Sequence, residues 1–495
     1  MPHVLRDTQL PSTAELLVSG GDQRLRLDPQ TGASRYGVRP TPDPTLVALG
    51  SCTASQVSTQ GWNAAGSLRL QLQMELAGAD SETVYAAHTG RVRRELLALC
   101  AADDGSEAVL AASGTDLFVL IAQWLRPDRT VLLHPSETGS GVPLALQGQH
   151  FDARSACGAS QVAGQSLGEW QGELATLAVR SADGTPRAQA EVDADCAAAV
   201  DAAAGAGRRV LLVVTDASKT GLLAPSIDSA LTLRRRWPGL VEIVVDGCQF
   251  RLGFDTIRAY LAQDCMVALT GSKFMAGPTF CGALLVPAAS VARLRGRELD
   301  ACCAAYSNRA EWPSDWPAAR QLGHGSNLGL LLRWEAALAE IRRFAVLPPA
   351  LLQMAAAEFS RAMLARLELD PRFMPLAVPT LRRPALQSGR RWDLEQTIFP
   401  FLTLKKHADG SHRPLDRPRT AQLYAQLRGS PASAERCYAL GQPVNCGELD
   451  GQPVSALRLC LSAPLLVQAC EGGIDGIIRL ALSALDRCAE LAERL

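Results

Sequence analysis

The chain has no apolar run of the ~18 residues that a membrane span requires, and its opening stretch, MPHVLRDTQLPS, has no apolar core of the kind a secretory signal carries. Both absences predict a cytoplasmic protein with no membrane partner. Net charge is missing as well: 49 Lys and Arg face 50 Asp and Glu, leaving a formal charge of −1. No broad field therefore draws the chain onto nucleic acid or an anionic surface, and neither a helix-turn-helix pattern nor a basic tail suggests a transcription regulator. None of the 14 cysteines forms a C-x-x-C pair, which argues against a zinc knuckle or a dense disulfide framework. No metal site is expected, and the cysteines read as small, reduced core residues. Lysine is scarce. Among the 49 basic residues only Lys219, Lys273, Lys405 and Lys406 are lysines, so each calls for a reason.

What is present describes a large globular protein. At ~100–200 residues per domain, 495 residues predict two or three units, and 47% hydrophobic with 20% charged residues suits a sizeable core. Residues 1–55 read as an extended N-terminal arm rich in Pro, Gly and Thr, without a sustained period. Residues 56–327 change rhythm. Short apolar runs recur at Ala108–Ala112, Thr130–Leu133, Val210–Val214, Val241–Val245, Met266–Leu269 and Ala283–Val286, each closed by a turn-forming residue. Such runs suit strands buried on both faces. Amphipathic segments between them, including Leu117–Leu125 and Ile227–Arg236, predict an α/β domain with a mainly parallel sheet and helices packed on it. The alanine-rich stretch from Gly184 to Gly207 reads as a surface helix with its loops. Residues 328–495 read as a linking helix, Leu328–Phe344, followed by a smaller α+β domain with strands at Gln396–Leu404 and Ala456–Leu461 and a closing helix at Ile474–Leu491. No internal repeat is visible.

The chemistry concentrates at predicted strand ends, which form the ligand crevice of an open α/β sheet. Asp246 closes one strand in Val244-Val-Asp-Gly-Cys-Gln249, and Lys273 stands just past the next in Gly271-Ser-Lys-Phe-Met-Ala-Gly-Pro278. Their separation of 27 positions matches one crossover connection. An aspartate and a lysine so placed also suit a plain ion pair. Further context comes from Ala111-Ala-Ser-Gly-Thr-Asp116, where a buried strand ends and a helix begins with hydroxyls and free N–H groups suited to an anion or to an ordinary cap.

Together these segments resemble the fold-type-I enzymes that use pyridoxal 5′-phosphate (PLP), and among them the class V aminotransferase and cysteine desulfurase superfamily. The likeness spans about residues 50–345, and its specific part is Val-Asp-x-x-Gln followed by Gly-Ser-Lys-Phe, Gly-Pro and Cys281-Gly-Ala-Leu-Leu-Val286. The resemblance implies a PLP-transferase fold with Lys273 carrying the cofactor as a Schiff base and moving the substrate's α-proton. It implies Asp246 at the pyridinium nitrogen and Gln249 near the ring. Ser113, Gly114, Thr115 and Ser272 would cradle the phosphate. Ser218, in Val214-Thr-Asp-Ala-Ser-Lys-Thr-Gly221, would reach the ring oxygen, whereas Lys219 reads first as a solvent-facing loop lysine and second as a substrate contact. Gly323-His-Gly-Ser-Asn327 resembles a turn that contributes a phosphate contact, through Ser326, to the neighbour in a homodimer. Arg458, in Ala456-Leu-Arg-Leu-Cys460, would clamp the substrate carboxylate, with Tyr36 and Ser51 lining the substrate side.

Two departures stand out. Ser272 occupies the place before the lysine where the class V pattern has histidine, and the segment His134-Pro-Ser-Glu-Thr-Gly-Ser-Gly141 lacks the expected ring-stacking residue, leaving His134 and Glu137 as alternatives. The implied substrate is an α-amino acid. An aminotransferase comes first among the implied activities, a PLP-dependent lyase acting on carbon–carbon or carbon–heteroatom bonds second, and a non-catalytic PLP or amino-acid sensor third. A desulfurase ranks lower, because Cys281 lies in an apolar run and the adjacent Cys302 and Cys303 read as buried thiols.

Overall fold

The computed structural model describes residues 9–50, 55–100, 105–386, 391–429, 436–449 and 451–495. Its strands, in chain order, are β1 (Leu46–Ala48), β2 (Glu107–Ala111), β3 (Arg129–Leu133), β4 (Glu173–Leu177), β5 (Val210–Asp216), β6 (Leu223–Ala224), β7 (Val241–Gly247), β8 (Met266–Thr270) and β9 (Gly282–Val286). The C-terminal part adds β10 (Phe373–Pro375), β11 (Ile398–Lys406), β12 (His412–Pro414), β13 (Cys437–Ala439), β14 (Gly441–Leu449) and β15 (Gln452–Cys460).

An eight-stranded sheet forms the centre, in the order β2-β9-β8-β7-β5-β3-β4 with β6 beside β5. The strands from β8 to β4 pair in parallel, while β9 runs antiparallel to both β2 and β8. Strand residues alternate between two cores, as a period of two demands. Leu212, Val214, Ile243 and Val245 face one, and Leu211, Val213 and Val244 face the other. Because both faces are covered, every residue of β5, β8 and β9 is buried, and the sequence runs read as continuous apolar stretches. The smaller sheet, β10-β11-β15-β14 with β12 beside β11, is antiparallel and packs against the helices Pro349–Leu369 and Ile474–Glu493. The molecule is thus α/β with a mostly parallel central sheet and a C-terminal sheet unit.

The N-terminal arm departs from its extended expectation. Thr13–Leu17 is a short helix with a capping box from Ser12 and Glu15, Gln23–Leu25 is a 3₁₀ turn, and β1 pairs in parallel with β13. The arm is pinned by Arg333, a buried guanidinium on the helix Leu328–Ala345 that donates to the carbonyls of Phe280 at 2.5 Å, Gly20 at 2.9 Å and Leu17 at 3.3 Å. Burial pushes this arginine down to about 10. Gly329 permits the contact, since a Cβ there would meet the carbonyl oxygens of Leu16 and Ser19 at 2.5 Å. No helix of the described residues is long and apolar enough to cross a membrane.

Candidate functional site

The parallel strands end at a cavity of 930 Å³ between the central sheet, the arm and the C-terminal unit. β7 delivers Asp246 to its wall, the turn after β8 delivers Lys273, and the segment after β7 delivers Gln249. β5 and β7 hold Thr215 and Asp246 side by side in parallel register. Asp246 is 8% exposed, and its Oδ1 accepts the backbone N–H of Cys248 at 3.1 Å, which fixes the carboxylate toward the cavity floor. Three buried polar atoms on these walls have no hydrogen-bond partner among the described residues: Thr138 Oγ1, Thr215 Oγ1 and Gln249 Oε1. Unsatisfied buried groups cost about 1–3 kcal/mol each, so their clustering around one cavity fits a polar ligand with hydrogen-bonding groups of its own.

The head of the helix Gly114–Leu125 lies behind this floor. Ser113 is its N-cap, accepting from Asp116 N at 3.2 Å, and Gly114 packs so closely that a Cβ would stand 3.0 Å from Cys248 Sγ and Thr270 Cγ2. Arg24 from the arm reaches into this corner, a contact with no signal in the local sequence. Its guanidinium donates to Ser113 Oγ at 3.0 Å and Thr115 Oγ1 at 3.4 Å, stacks over Phe280 at 4.2 Å, and is held by Asp22 through contacts of 2.5 and 2.8 Å. Ser113 also donates to Asp116, whose carboxyl is pushed up to about 7 by burial and then by Asp22. Hydroxyls, a helix start and one guanidinium meet here, the kinds of donor that hold a phosphate, beside the carboxylates of Asp22 and Asp116 that engage them; Arg24 lines the cavity, whereas Ser113, Gly114 and Thr115 do not. Ser272 is buried at 1% exposure beside Lys273 and is not among the cavity-lining residues.

Both candidates in the loop after β3, His134 and Glu137, line the cavity. His134 is exposed and bonds Ser136, while Glu137 is buried in a polar knot. Glu137 accepts from Ser218 Oγ at 2.6 Å, Thr220 Oγ1 at 2.7 Å and Arg180 Nε at 3.2 Å. Ser218 is therefore turned to Glu137 and is not a lining residue, although both neighbours, Ala217 and Lys219, are. The expectation for Lys219 is corrected: it is not a solvent-facing lysine. It lines the cavity, donates to the Pro135 carbonyl at 3.2 Å, and is pushed down to about 8 by burial and by the nearby Arg458 and Lys273. Its sequence signal was the scarcity of lysine itself.

Arg458 projects from β15 into the same cavity at 3% exposure, with donors to the carbonyls of Gln442 at 2.9 Å and Lys219 at 3.2 Å. Tyr36 lines the opposite side, edge-on to Phe280. Ser51 lies outside the described residues. Ser326 is on a surface turn away from the cavity, its hydroxyl exchanging contacts with Ser81 at 2.7 and 3.0 Å. The structure thus brings Lys273, Asp246, Gln249, Arg458 and Tyr36 to one cavity, keeps Ser113, Gly114 and Thr115 at the helix start behind it, and leaves Ser218, Ser272 and Ser326 off its walls.

No family model and no curated protein matches the sequence. Solved structures match in fold. A NifS-like protein from Rickettsia africae is 11% identical with a TM-score of 0.52, covering 89% of this chain and 99% of that one. The serine palmitoyltransferase of Sphingomonas wittichii is 12% identical with a TM-score of 0.51, covering 89% and 88%. SPT with its PLP internal aldimine is 11% identical with a TM-score of 0.50, covering 89% and 88%. At such identities the likeness speaks for architecture, and it agrees with the likeness read from the motifs: the chain has the fold of the fold-type-I PLP enzymes.

Proposed function

We propose that the chain is a PLP-dependent enzyme acting on an α-amino acid, with transamination as its reaction. The observation that carries this reading is the convergence of Lys273, Asp246 and Gln249 on one cavity at the carboxyl ends of parallel strands, with unsatisfied polar atoms around them. When bound, the cofactor supplies an electron sink for the charge left as the substrate's α-carbon loses its proton. The chain's own residues do the rest. Lys273 Nζ would be the attachment point and, when free, would hold the proton taken from the substrate's α-carbon. The Asp246 carboxylate, anchored by Cys248 N–H, favours a protonated ring nitrogen. Ser113, Gly114, Thr115 and Arg24 would hold the phosphate, and Arg458 the α-carboxylate. Ser326, set on a surface turn, would serve a neighbouring subunit, which makes a homodimer part of the proposal.

Visible absorbance of the purified protein, fixed by borohydride and mapped by mass spectrometry to Lys273, tests the attachment. A panel of amino acids and keto acids then tests the reaction: an amino group passing to a keto acid supports transamination, whereas release of a fragment or of ammonia points to a lyase. Lys273→Ala should abolish both the adduct and turnover. An adduct on another lysine would overturn the site.

A further inference from the structure

The cavity carries more positive charge than an ordinary amino acid needs. Arg24 is neutralised by Asp22 and Arg180 by Glu137, each a close contact between largely buried groups. Arg35 lines the cavity too, but is exposed and donates to Tyr36 Oη at 2.9 Å; the more buried Lys219, Arg417 and Arg458 line the same cavity without forming an ion pair with any described carboxylate. Their donors go to carbonyl oxygens instead: Lys219 to Pro135 at 3.2 Å, Arg417 to Val454 at 3.4 Å, Arg458 to Gln442 at 2.9 Å. The three come from unrelated elements, the loop after β5, the start of the helix Arg417–Leu427, and β15, so the fold assembles them across both units. Partly or fully removing cations from water without a counter-charge is unfavourable, and an anionic ligand relieves it. The remaining walls offer Pro135, Ala178, Val179 and Val444 and, apart from Tyr36 and His134, no aromatic ring to receive a large apolar side chain.

We infer that the substrate carries a second anionic group beyond its α-carboxylate, a carboxylate, phosphate or sulfonate on the side chain, received by Lys219 and Arg417. The α-carboxylate balances one of these three cations; a side-chain carboxylate or sulfonate answers one more, and a phosphate dianion answers both. This inference rests on the proposed PLP-dependent reading, because it takes Lys273 and Arg458 as engaged with the reacting end of the substrate.

The holoenzyme is titrated with L-aspartate, L-glutamate, L-cysteate and O-phospho-L-serine, and with L-asparagine, L-glutamine and L-serine as uncharged counterparts, following the change in cofactor absorbance. At least one anionic member should bind about tenfold or more tightly than its uncharged counterpart, as close charge pairs allow. Lys219→Met and Arg417→Met should each shrink that ratio by about tenfold, with Lys219→Arg and Arg417→Lys restoring it. Thermal unfolding of each variant checks that it is folded. Equal binding of charged and uncharged amino acids, or variants that weaken both equally, overturns the inference. Should the protein carry no cofactor absorbance, calorimetry with succinate and O-phospho-L-serine on the same protein decides it: binding lost in the methionine variants upholds the anion site while the PLP reading falls, and no binding overturns both.

Discussion

Asp246 and Lys273 stand 27 residues apart in sequence, yet both side chains line one cavity because β7 and β8 are adjacent parallel strands. That pairing was legible in the sequence, since it needs only two buried runs ending in ionisable residues. Arg24 and Arg180 were not, because nothing local marks one arginine among 45, and their meaning lies in partners far along the chain. Asp246→Asn keeps the shape and removes the charge; turnover should fall by about 10²–10³-fold, the loss typical of a preorganised electrostatic contact, with cofactor still bound. Unchanged single-turnover rates would remove the ring-nitrogen role. Lys219 gives a pH dependence. Its amine, pushed down to about 8, faces Arg458 from β15, Lys273 after β8 and Glu137 after β3. Below that pH the ammonium attracts an anionic substrate, and as pH rises through it the charge is lost. KM for an anionic substrate should therefore climb above about pH 8 in the wild type and stay flatter in Lys219→Arg, whose guanidinium remains charged. Identical pH profiles for the two proteins would exclude Lys219 from substrate binding.

At the scale of elements, the doubly buried strands and amphipathic helices were readable in place: Ile227–Arg236 is a helix with those bounds, and Leu328–Phe344 falls short by one residue. β4 and β14 escaped. β4 is an edge strand with exposed Glu173 and Thr176, and β14 carries two register shifts, so neither shows a clean apolar or alternating signal. What joins the two units was equally invisible. Asp216, the last residue of β5, is fully buried and accepts from Arg383 at 2.6 and 2.7 Å and from Tyr260 Oη at 2.7 Å. Breaking such a pair from one side leaves a buried charge alone, a loss of about 3–5 kcal/mol. Arg383→Met should lower the urea midpoint accordingly, and adding Asp216→Asn should recover part of the loss. A midpoint within error of the wild type would show that this ion pair does not fasten the C-terminal segment to the sheet.

For the whole molecule, the open matter is whether one chain makes a complete site. The turn containing Ser326 does not line the cavity of its own chain, with residues 323–325 exposed and His324 bonded to Glu82. A second copy related by a two-fold axis would give that turn a task, since one patch then meets the other reciprocally. Gly323 offers a clean probe: a Cβ there meets nothing within 4 Å in its own chain, whereas one at Gly325 would strike Asn308 Oδ1 at 2.5 Å. Gly323→Trp therefore starts from a Cβ that meets nothing among the described residues, and its bulk is aimed at a neighbouring copy. Light scattering should give a dimer for the wild type and a mass shifted toward the monomer for Gly323→Trp at the same concentration, with weaker PLP retention on dialysis and an unchanged circular dichroism spectrum. A wild type that is monomeric and fully active at assay concentration, or a Gly323→Trp variant as dimeric as the wild type with full cofactor retention, would take the turn out of any shared site.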